Sequence, residues 1–176
     1  MKRLTIALLT TALLYAGGAS VAAQTIKLGT LAPEGSTWHT GMRDIATAWK
    51  EASGGKINVR LYTGGVAGDE PDMVRKMRIG QLHAAALTGA GLATIAPEIQ
   101  ALQMPMMLRS YAELDYVRDH LAPQLEAILA ARGFKVLHWG DAGWVHFFAQ
   151  RPVVRPEDLQ PLKLFTWAGD TTYIEA

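Results

Sequence analysis

Three short strand patterns separated by helix patterns constrain the fold of this chain more than any other feature. Apolar and polar residues alternate at 25–30 and 57–62, and 82–87 forms a third apolar run of mostly small side chains. Such runs are typical of β-strands. Between the first two, apolar residues recur with the spacing of an amphipathic helix; they are Met42, Ile45, Ala46 and Trp49. Strands that alternate with helices predict an α/β layer with a mostly parallel sheet.

Local end signals place the next helices. Asp69 is of a type that caps helix starts, and a proline suited to the first helical turn follows it. Ser110 and Glu113 have the spacing of a capping box, and Pro123 lies within the helix pattern that follows. Because proline lacks an amide proton, we expect either two helices or one kinked helix there, ending before Gly133.

A fourth strand is predicted at 134–139, and two further apolar runs follow within 143–167. These runs, 144–149 and 162–167, predict two strands that line one place. Prolines cannot donate to a sheet ladder, so the proline-rich segment between the runs is predicted to be an ordered crossing. Core packing and a ligand cleft are both open interpretations of the aromatic side chains in this stretch, which are Trp144, Phe147, Phe165 and Trp167.

Open parallel sheets bind ligands beyond the carboxyl ends of their strands. That edge is predicted to comprise 32–37, 69–70, 88–91 and 141–145. The segment 64–68 (GGVAG) could cradle a phosphate there, but it lacks the lysine of a P-loop, and a plain turn is favoured. The carboxylates at 69–70 could do acid–base work, although helix capping explains them more simply.

The first 23 residues have the pattern of a secretory signal peptide. Lys2 and Arg3 precede an apolar run at 4–16, and small residues follow up to Ala23. The alternative, a membrane anchor, needs about 20 apolar residues, more than this run provides. We therefore expect export to the periplasm with cleavage near Ala23.

Composition excludes several classes of protein. The sequence has 17 basic and 16 acidic side chains, and removal of Lys2 and Arg3 brings the net charge near −1, so we expect no nucleic-acid partner. Without cysteine, disulfides, thiolate metal sites and a cysteine nucleophile are excluded. The five histidines show no metal-ligand spacing, and no signature such as G-x-S-x-G or H-E-x-x-H is present. The sequence predicts neither an enzyme nor a bound metal or cofactor.

Five segments occur in an order and spacing that together are specific. They are 26–42 (IKLGTLAPEGSTWHTGM), 54–70 (GGKINVRLYTGGVAGDE), 79–92 (IGQLHAAALTGAGL), 96–108 (APEIQALQMPMML) and 151–164 (RPVVRPEDLQPLKL). Together they resemble the extracytoplasmic solute receptors of the tripartite ATP-independent periplasmic (TRAP) transporters, the dicarboxylate- and sialic-acid-binding group. The resemblance covers Lys27–Trp167 and depends on all five segments rather than on one motif.

The resemblance implies a periplasmic-binding-protein-like (type II) fold, in which two α/β lobes joined by crossing strands close on a small ligand. It assigns 1–23 to the signal peptide, 24–142 to the first lobe, and 143–176 to the crossing strands and an incomplete second lobe, because chains of the family are longer. It implies capture of a small organic acid or a related apolar or aromatic solute, and delivery to a TRAP-type membrane permease. The alternative is a truncated lobe that acts as an interaction protein without capturing a solute.

The resemblance also indicates ligand-binding positions. Family members usually hold the ligand carboxylate with two arginines, and the positions that align with them are Val145 and Phe165; a polar contact at a strand end falls on Thr88. We therefore expect a ligand less acidic and more apolar or aromatic than a dicarboxylate, stacked on aromatic rings. The predicted ligand-binding residues are Ala32, Ser36, Glu70, Thr88, Gly89, Trp144, Val145, Phe165 and Trp167.

Overall fold

The computed structural model describes residues 23–104, 106–144, 146, 148–160, 162 and 163. Three parts of the predictions therefore lie outside the described residues. They are the signal peptide before Ala23, most of the second crossing strand at 162–167, and the side chains of Val145, Phe147, Phe165 and Trp167.

In the part of the chain that the structure describes, three parallel strands form the sheet, and the first in sequence lies in its centre. The strands are β1 (Gln24–Thr30), β2 (Ile57–Tyr62) and β3 (Ala84–Ala86), in the order β2-β1-β3. The register places Gln24 opposite Ile57 and Leu28 opposite Ala84. All three carboxyl ends consequently meet at one edge, which is where parallel sheets bind ligands.

Helices follow each strand, as the sequence predicts for an α/β layer. The helices are α1 (Thr37–Ala52), α2 (Glu70–Arg78), α3 (Gly89–Ala93) and α4 (Tyr111–Ala131), with short 3₁₀ helices at Pro97–Gln103 and Pro156–Leu159. Helix α4 runs through Pro123 as a single helix and ends before Gly133. The predicted alternation of strands and helices and the parallel sheet are confirmed.

Side-chain caps fix where three of the helices begin. Asp69 accepts from the Asp72 amide at 3.1 Å, and Ser110 accepts from the Glu113 amide at 3.2 Å. The Glu113 carboxylate accepts in return from the Arg109 amide at 2.8 Å, one residue before the helix cap. Both predicted helix starts are therefore confirmed, and Ser36 caps α1 in the same way.

Two buried clusters share the α2 helix. Met73 packs with Ala67 and Leu82 against the sheet. One position later, Val74 packs on the α4 side, in a cluster formed by Val74, Ile95, Ala96, Ile99, Leu125 and Leu129. Because neighbouring helical residues point about 100° apart, one short helix can join both clusters and so hold its first residue, Glu70, in a fixed place.

Strand β3 is shorter than the predicted run at 82–87. Before it begins, the His83 amide donates to the Lys27 carbonyl at 3.0 Å, and the His83 ring accepts from the Lys27 amide, also at 3.0 Å. The His83 ring nitrogen thus takes the place of a backbone carbonyl as the acceptor for the Lys27 amide. This exchange preserves the hydrogen bonds of β1 while the regular pairing is limited to Ala84–Ala86.

The predicted strands at 134–139 and 144–149 are wrong for the residues that the structure describes, which carry no strand there. The alternation itself is present, since Phe134 and Val136 pack against the α4 cluster while Leu137 is exposed. A strand also needs a ladder partner, and the described residues of these two segments pair with none of the strands of the sheet. The predicted buried face of α1 is also too broad, because Met42 is buried but Ile45 is 48% exposed.

We expect Gly29→Ala to destabilise the protein by about 1–3 kcal/mol, because it overfills a packed site. A methyl group there would lie 3.1 Å from both Leu82 Cδ1 and Met73 Sδ. The matched control is Gly41→Ala in α1, where a methyl group would meet nothing within 4 Å and should stabilise the helix by about 0.5–1 kcal/mol. Urea unfolding measures both, and equal effects of the two substitutions would contradict the packing described for β1.

Candidate functional site

Hydrogen bonds join the loops that follow β1 and β2. The Gly64 amide donates to the Ala32 carbonyl at 2.9 Å, and the Gly65 amide donates to the Thr30 carbonyl at 3.2 Å. The buried Thr30 hydroxyl accepts from the Ala32 amide at 3.1 Å. Both backbone groups of Ala32 therefore make hydrogen bonds within the protein, and these bonds fix the position of the loop.

The glycine-rich segment after β2 is a turn. Its backbone adopts positive φ at Gly64, Gly65 and Gly68, a conformation that glycine tolerates best. The Gly68 amide donates to the Gly65 carbonyl at 2.8 Å, and the Val66 amide donates to the Thr63 carbonyl at 3.1 Å. Amides used in this way are not free to cradle a phosphate, so the turn interpretation is confirmed.

A buried carboxylate joins the start of α2 to the loop after β3. Glu70 is 3% exposed. Its Oε1 accepts from the Thr88 amide and its Oε2 accepts from the Thr88 hydroxyl, both at 2.6 Å. Two short bonds to a carboxylate are among the stronger hydrogen bonds in proteins, so the strand-end residue Thr88 is held firmly at the edge of the sheet.

Two glycines after β3 make room for polar side chains. A methyl group at Gly91 would lie 2.8 Å from Glu70 Cβ, so the missing side chain is what lets Glu70 fit. At Gly89 the same substitution would meet the carboxamide of Gln103, which therefore lies directly over this predicted site residue. Gln103 is a polar group at this edge that sequence reasoning missed, because it comes from the end of a separate 3₁₀ helix.

The loop after β1 is ordered by a histidine. Ser36 Oγ accepts from the His39 amide at 3.2 Å, and His39 Nδ1 accepts from the Gly35 amide at 2.9 Å. His39 is buried, and its Nδ1 atom is hydrogen-bonded in this way. Because a hydroxyl can accept and donate at once, Ser36 keeps its proton for a ligand.

The segment after α4 contacts two aromatic side chains, Trp38 of α1 and Tyr111 of α4. Trp38, in the first turn of α1, lies over Gly140, where an added methyl group would be 2.7 Å from the ring. Trp144 packs on Tyr111 with ring centroids 5.6 Å apart. Trp144 is 42% exposed and Trp38 is 45% exposed, so both retain surface for stacking. Sequence reasoning missed Trp38, whose signal is a large aromatic residue directly after a strand-end loop.

The cations of the proline-rich segment are exposed. Arg151 donates to the Asp158 carbonyl at 3.3 Å, and Arg155 is likewise exposed. The amides of Val154 and Arg155 donate to Asp158 Oδ2 at 2.9 Å each and hold the pKa of that carboxyl below its usual value. Both arginines therefore face water.

An open depression of about 460 Å³ lies between α1 and β2. It is lined by Glu34, His39, Arg43, Ala46, Thr47, Val59, Arg60 and Leu61, none of which is a predicted ligand-binding residue. Across the described residues, no three His, Asp or Glu side chains are placed to hold a metal ion. None of the helices in that part of the chain combines the length and apolarity needed to cross a membrane.

The structure brings together some of the predicted site residues. Thr88 and Glu70 are in direct contact, and Gly89 follows Thr88. Ala32 and Ser36 lie in the loop after β1, which is bonded to the loop after β2. Trp144 belongs to a separate contact with Tyr111. Val145, Phe165 and Trp167 lie outside the described residues.

Comparison with known families gives one match over most of the chain. Residues 28–171 match the family described as bacterial extracellular solute-binding protein, family 7. The 2,3-diketo-L-gulonate-binding periplasmic protein YiaO of Escherichia coli (strain K12) is 25% identical over 168 residues. That alignment covers 94% of this chain and 51% of YiaO, so the chain spans about half the length of this relative.

Solved structures give the same fold. A TRAP periplasmic solute-binding protein from Sulfitobacter sp. NAS-14.1 with bound β-D-galacturonate superposes with a TM-score of 0.72 at 22% identity, over 78% of this chain and 46% of that one. Another from Sulfurospirillum deleyianum DSM 6946 with bound succinate gives 0.71 at 24% identity, over 78% and 45%. The predicted fold class, a periplasmic-binding-protein-like α/β fold present in part, is confirmed.

We expect Glu70→Ala to destabilise the protein by about 1–3 kcal/mol, because it leaves the Thr88 amide without its acceptor. Glu34→Ala is the control, since this exposed carboxylate lies in the loop at the same edge and surface substitutions usually change stability by less than about 0.5 kcal/mol. Urea unfolding curves of the two variants measure the difference. Similar curves would mean that the Glu70–Thr88 bonds contribute nothing net.

Proposed function

The chain belongs to family 7 of the bacterial extracellular solute-binding proteins, and on that basis we propose that it captures a small organic acid in the periplasm. The family is a class of binding proteins and not of enzymes. The observation that carries the proposal is the match over residues 28–171. The solute would bind where the loops after β1, β2 and β3 meet, beyond the carboxyl ends of the strands.

The geometry of that edge supports capture of a small polar molecule. Thr88 and Ser36 present hydroxyl groups from loops that hydrogen bonds hold in place. Rigid positioning reduces the ordering cost of binding. Structural relatives carry galacturonate and succinate, which are both small carboxylic acids, and this supports the same chemical class for this chain.

We further propose that the solute is less acidic and more apolar or aromatic than a dicarboxylate. The support is in the sequence, where Val145 and Phe165 occupy the positions at which the family usually has arginines. A buried carboxylate without its partner costs on the order of 2–5 kcal/mol. The described arginines nearest in sequence, Arg151 and Arg155, are exposed to water. Exposed Trp144 and Trp38 offer apolar surface instead.

Delivery of the solute to a TRAP-type membrane permease completes the proposal. It is supported by the family match and by relatives that are TRAP periplasmic solute-binding proteins. The export signal predicted at 1–23 places the chain in the compartment where such a handover takes place. No nucleic-acid partner is proposed.

A thermal-shift panel tests the solute class. We expect phenyllactate, 3-phenylpropanoate and branched 2-hydroxy acids to raise the melting temperature of the exported protein more than succinate or malate do. A ligand at one hundred times its Kd adds about 2.7 kcal/mol of stability, which is readily measured as a shift. Galacturonate and sialic acid complete the panel.

The outcomes separate the proposals. A larger shift with succinate than with the aromatic acids would contradict the apolar preference while preserving the receptor function. No shift with any acid would contradict capture, and would favour the alternative of a lobe that docks a permease without holding a solute. Co-purification with the permease subunits then tests that alternative directly.

Phe165→Arg tests the arginine positions. We expect this substitution to weaken binding of an aromatic acid by about tenfold or more, because it removes a stacking surface, and to strengthen succinate binding through a charge-assisted bond. Phe148→Arg is the control, since that ring is 94% exposed. Isothermal titration of both variants gives the Kd values. Unchanged affinities in Phe165→Arg would place Phe165 outside the site.

A further inference from the structure

Thr88, at the edge of the sheet, does not make the hydrogen bond that is usual for a threonine in its position. It is the residue before α3, a position where a threonine hydroxyl normally accepts from an amide of the first helical turn. Within the described part of the chain, the Thr88 side chain makes no such capping bond. Its hydroxyl lies 2.6 Å from Glu70 Oε2 instead. The hydroxyl is thus turned away from the helix and towards a buried carboxylate.

The contact with Glu70 directs the hydroxyl proton of Thr88. A hydroxyl has one proton to donate and two lone pairs. Glu70 Oε1 accepts from the Thr88 amide, and Oε2 accepts from Thr88 Oγ1. With its proton donated to Oε2, the Thr88 hydroxyl has its lone pairs left for a ligand.

Packing prevents Glu70 from releasing that proton by moving away. Glu70 is 3% exposed, and Gly91 lies against its side chain so closely that even a methyl group would collide. Helix α2 also holds Glu70 in place, because its residues Met73 and Val74 pack in the two buried clusters. Thr88 itself is exposed. The buried Glu70 therefore holds the Thr88 hydroxyl rigidly, as a hydrogen-bond acceptor that faces solvent.

We propose that Glu70 is a positioning residue that makes Thr88 a hydrogen-bond acceptor, so that the strand-end contact selects a solute hydroxyl and disfavours a solute carboxylate. This inference rests on the proposed function, since it names the chemistry of one contact in that site. A hydroxyl or ammonium group can donate to the lone pairs of Thr88. A solute carboxylate at this position would place its oxygen lone pairs against those of the Thr88 hydroxyl, so neither oxygen would find a donor in the other.

Glu70→Gln is the decisive variant because it inverts the proton arrangement at constant shape. The carboxamide oxygen of this variant would have to face the Thr88 amide, which can only donate, so the carboxamide NH₂ group would face the Thr88 hydroxyl. The hydroxyl would then accept from the NH₂ group and turn its proton outwards. Thr88→Val removes the hydroxyl, Thr88→Ser retains it, and Glu51→Gln removes an exposed carboxylate of α1 as a charge control.

Ligand pairs that differ by a hydroxyl in place of a keto oxygen read out the selection, because a keto oxygen can only accept a hydrogen bond. The probes are phenyllactate with phenylpyruvate, and malate with oxaloacetate, each titrated calorimetrically. In the wild type and in Thr88→Ser and Glu51→Gln, we expect the hydroxylated member of the pair that binds to be favoured by about tenfold, the factor that corresponds to one good hydrogen bond. In Thr88→Val and Glu70→Gln, we expect that ratio to fall to about one or below.

A ratio that is unchanged in Glu70→Gln, or a wild type that favours the member without the hydroxyl, would overturn the inference. A melting cycle tests the bond between the Thr88 hydroxyl and Glu70 without any ligand. Thr88→Val should lower the melting temperature of the wild type by about 2–4 °C and change that of Glu70→Ala much less; equal decreases would also overturn it. If the wild type bound none of the four probes, the proposed function and the solute selection would both be contradicted, while the cycle would still decide whether the Thr88 hydroxyl is bonded to Glu70.

Discussion

The two hydrogen bonds from Thr88 to the buried Glu70 hold the edge of this sheet together. Glu70 is only 3% exposed, and burying a carboxylate costs free energy unless its oxygens are hydrogen-bonded. Thr88, on a neighbouring loop, donates to both oxygens. The interaction needs α2 to begin at Glu70, which the Asp69 cap ensures. It also needs a glycine at position 91. Helix start, loop and sheet edge thus depend on one another.

The parts of the fold that depend on neighbouring residues could be predicted from the sequence. Asp69 and Ser110 bond to amides three residues away, so their role is visible in the sequence itself. The strands β1 and β2 alternate clearly and pair with each other. The segment at 134–139 alternates equally well, yet a strand also needs a partner, and that depends on parts of the chain far away in sequence. Periodicity alone could not provide this information.

The candidate site was predictable as a place and not as a set of contacts. The rule that parallel sheets bind at their carboxyl ends located Thr88 and Glu70 correctly at one edge. It could not show that the two residues bond to each other across 18 positions, because pairs this far apart meet only when the helix and the strand have packed. Gln103 was missed for the same reason, since it reaches this edge through a contact with Gly89 of another segment.

Thr88 illustrates how a broken local rule can indicate function. A sequence is most stable when each local preference agrees with the fold, and a threonine before a helix normally caps it. Here Thr88 makes no capping bond to the first turn of α3. Its hydroxyl bonds instead to Glu70, which needs the bond because it is buried. Stability alone could have been served by an apolar residue at position 70 and a capping hydroxyl at position 88. An arrangement that instead fixes the direction of one exposed hydroxyl has its clearest physical use in discriminating what that hydroxyl touches.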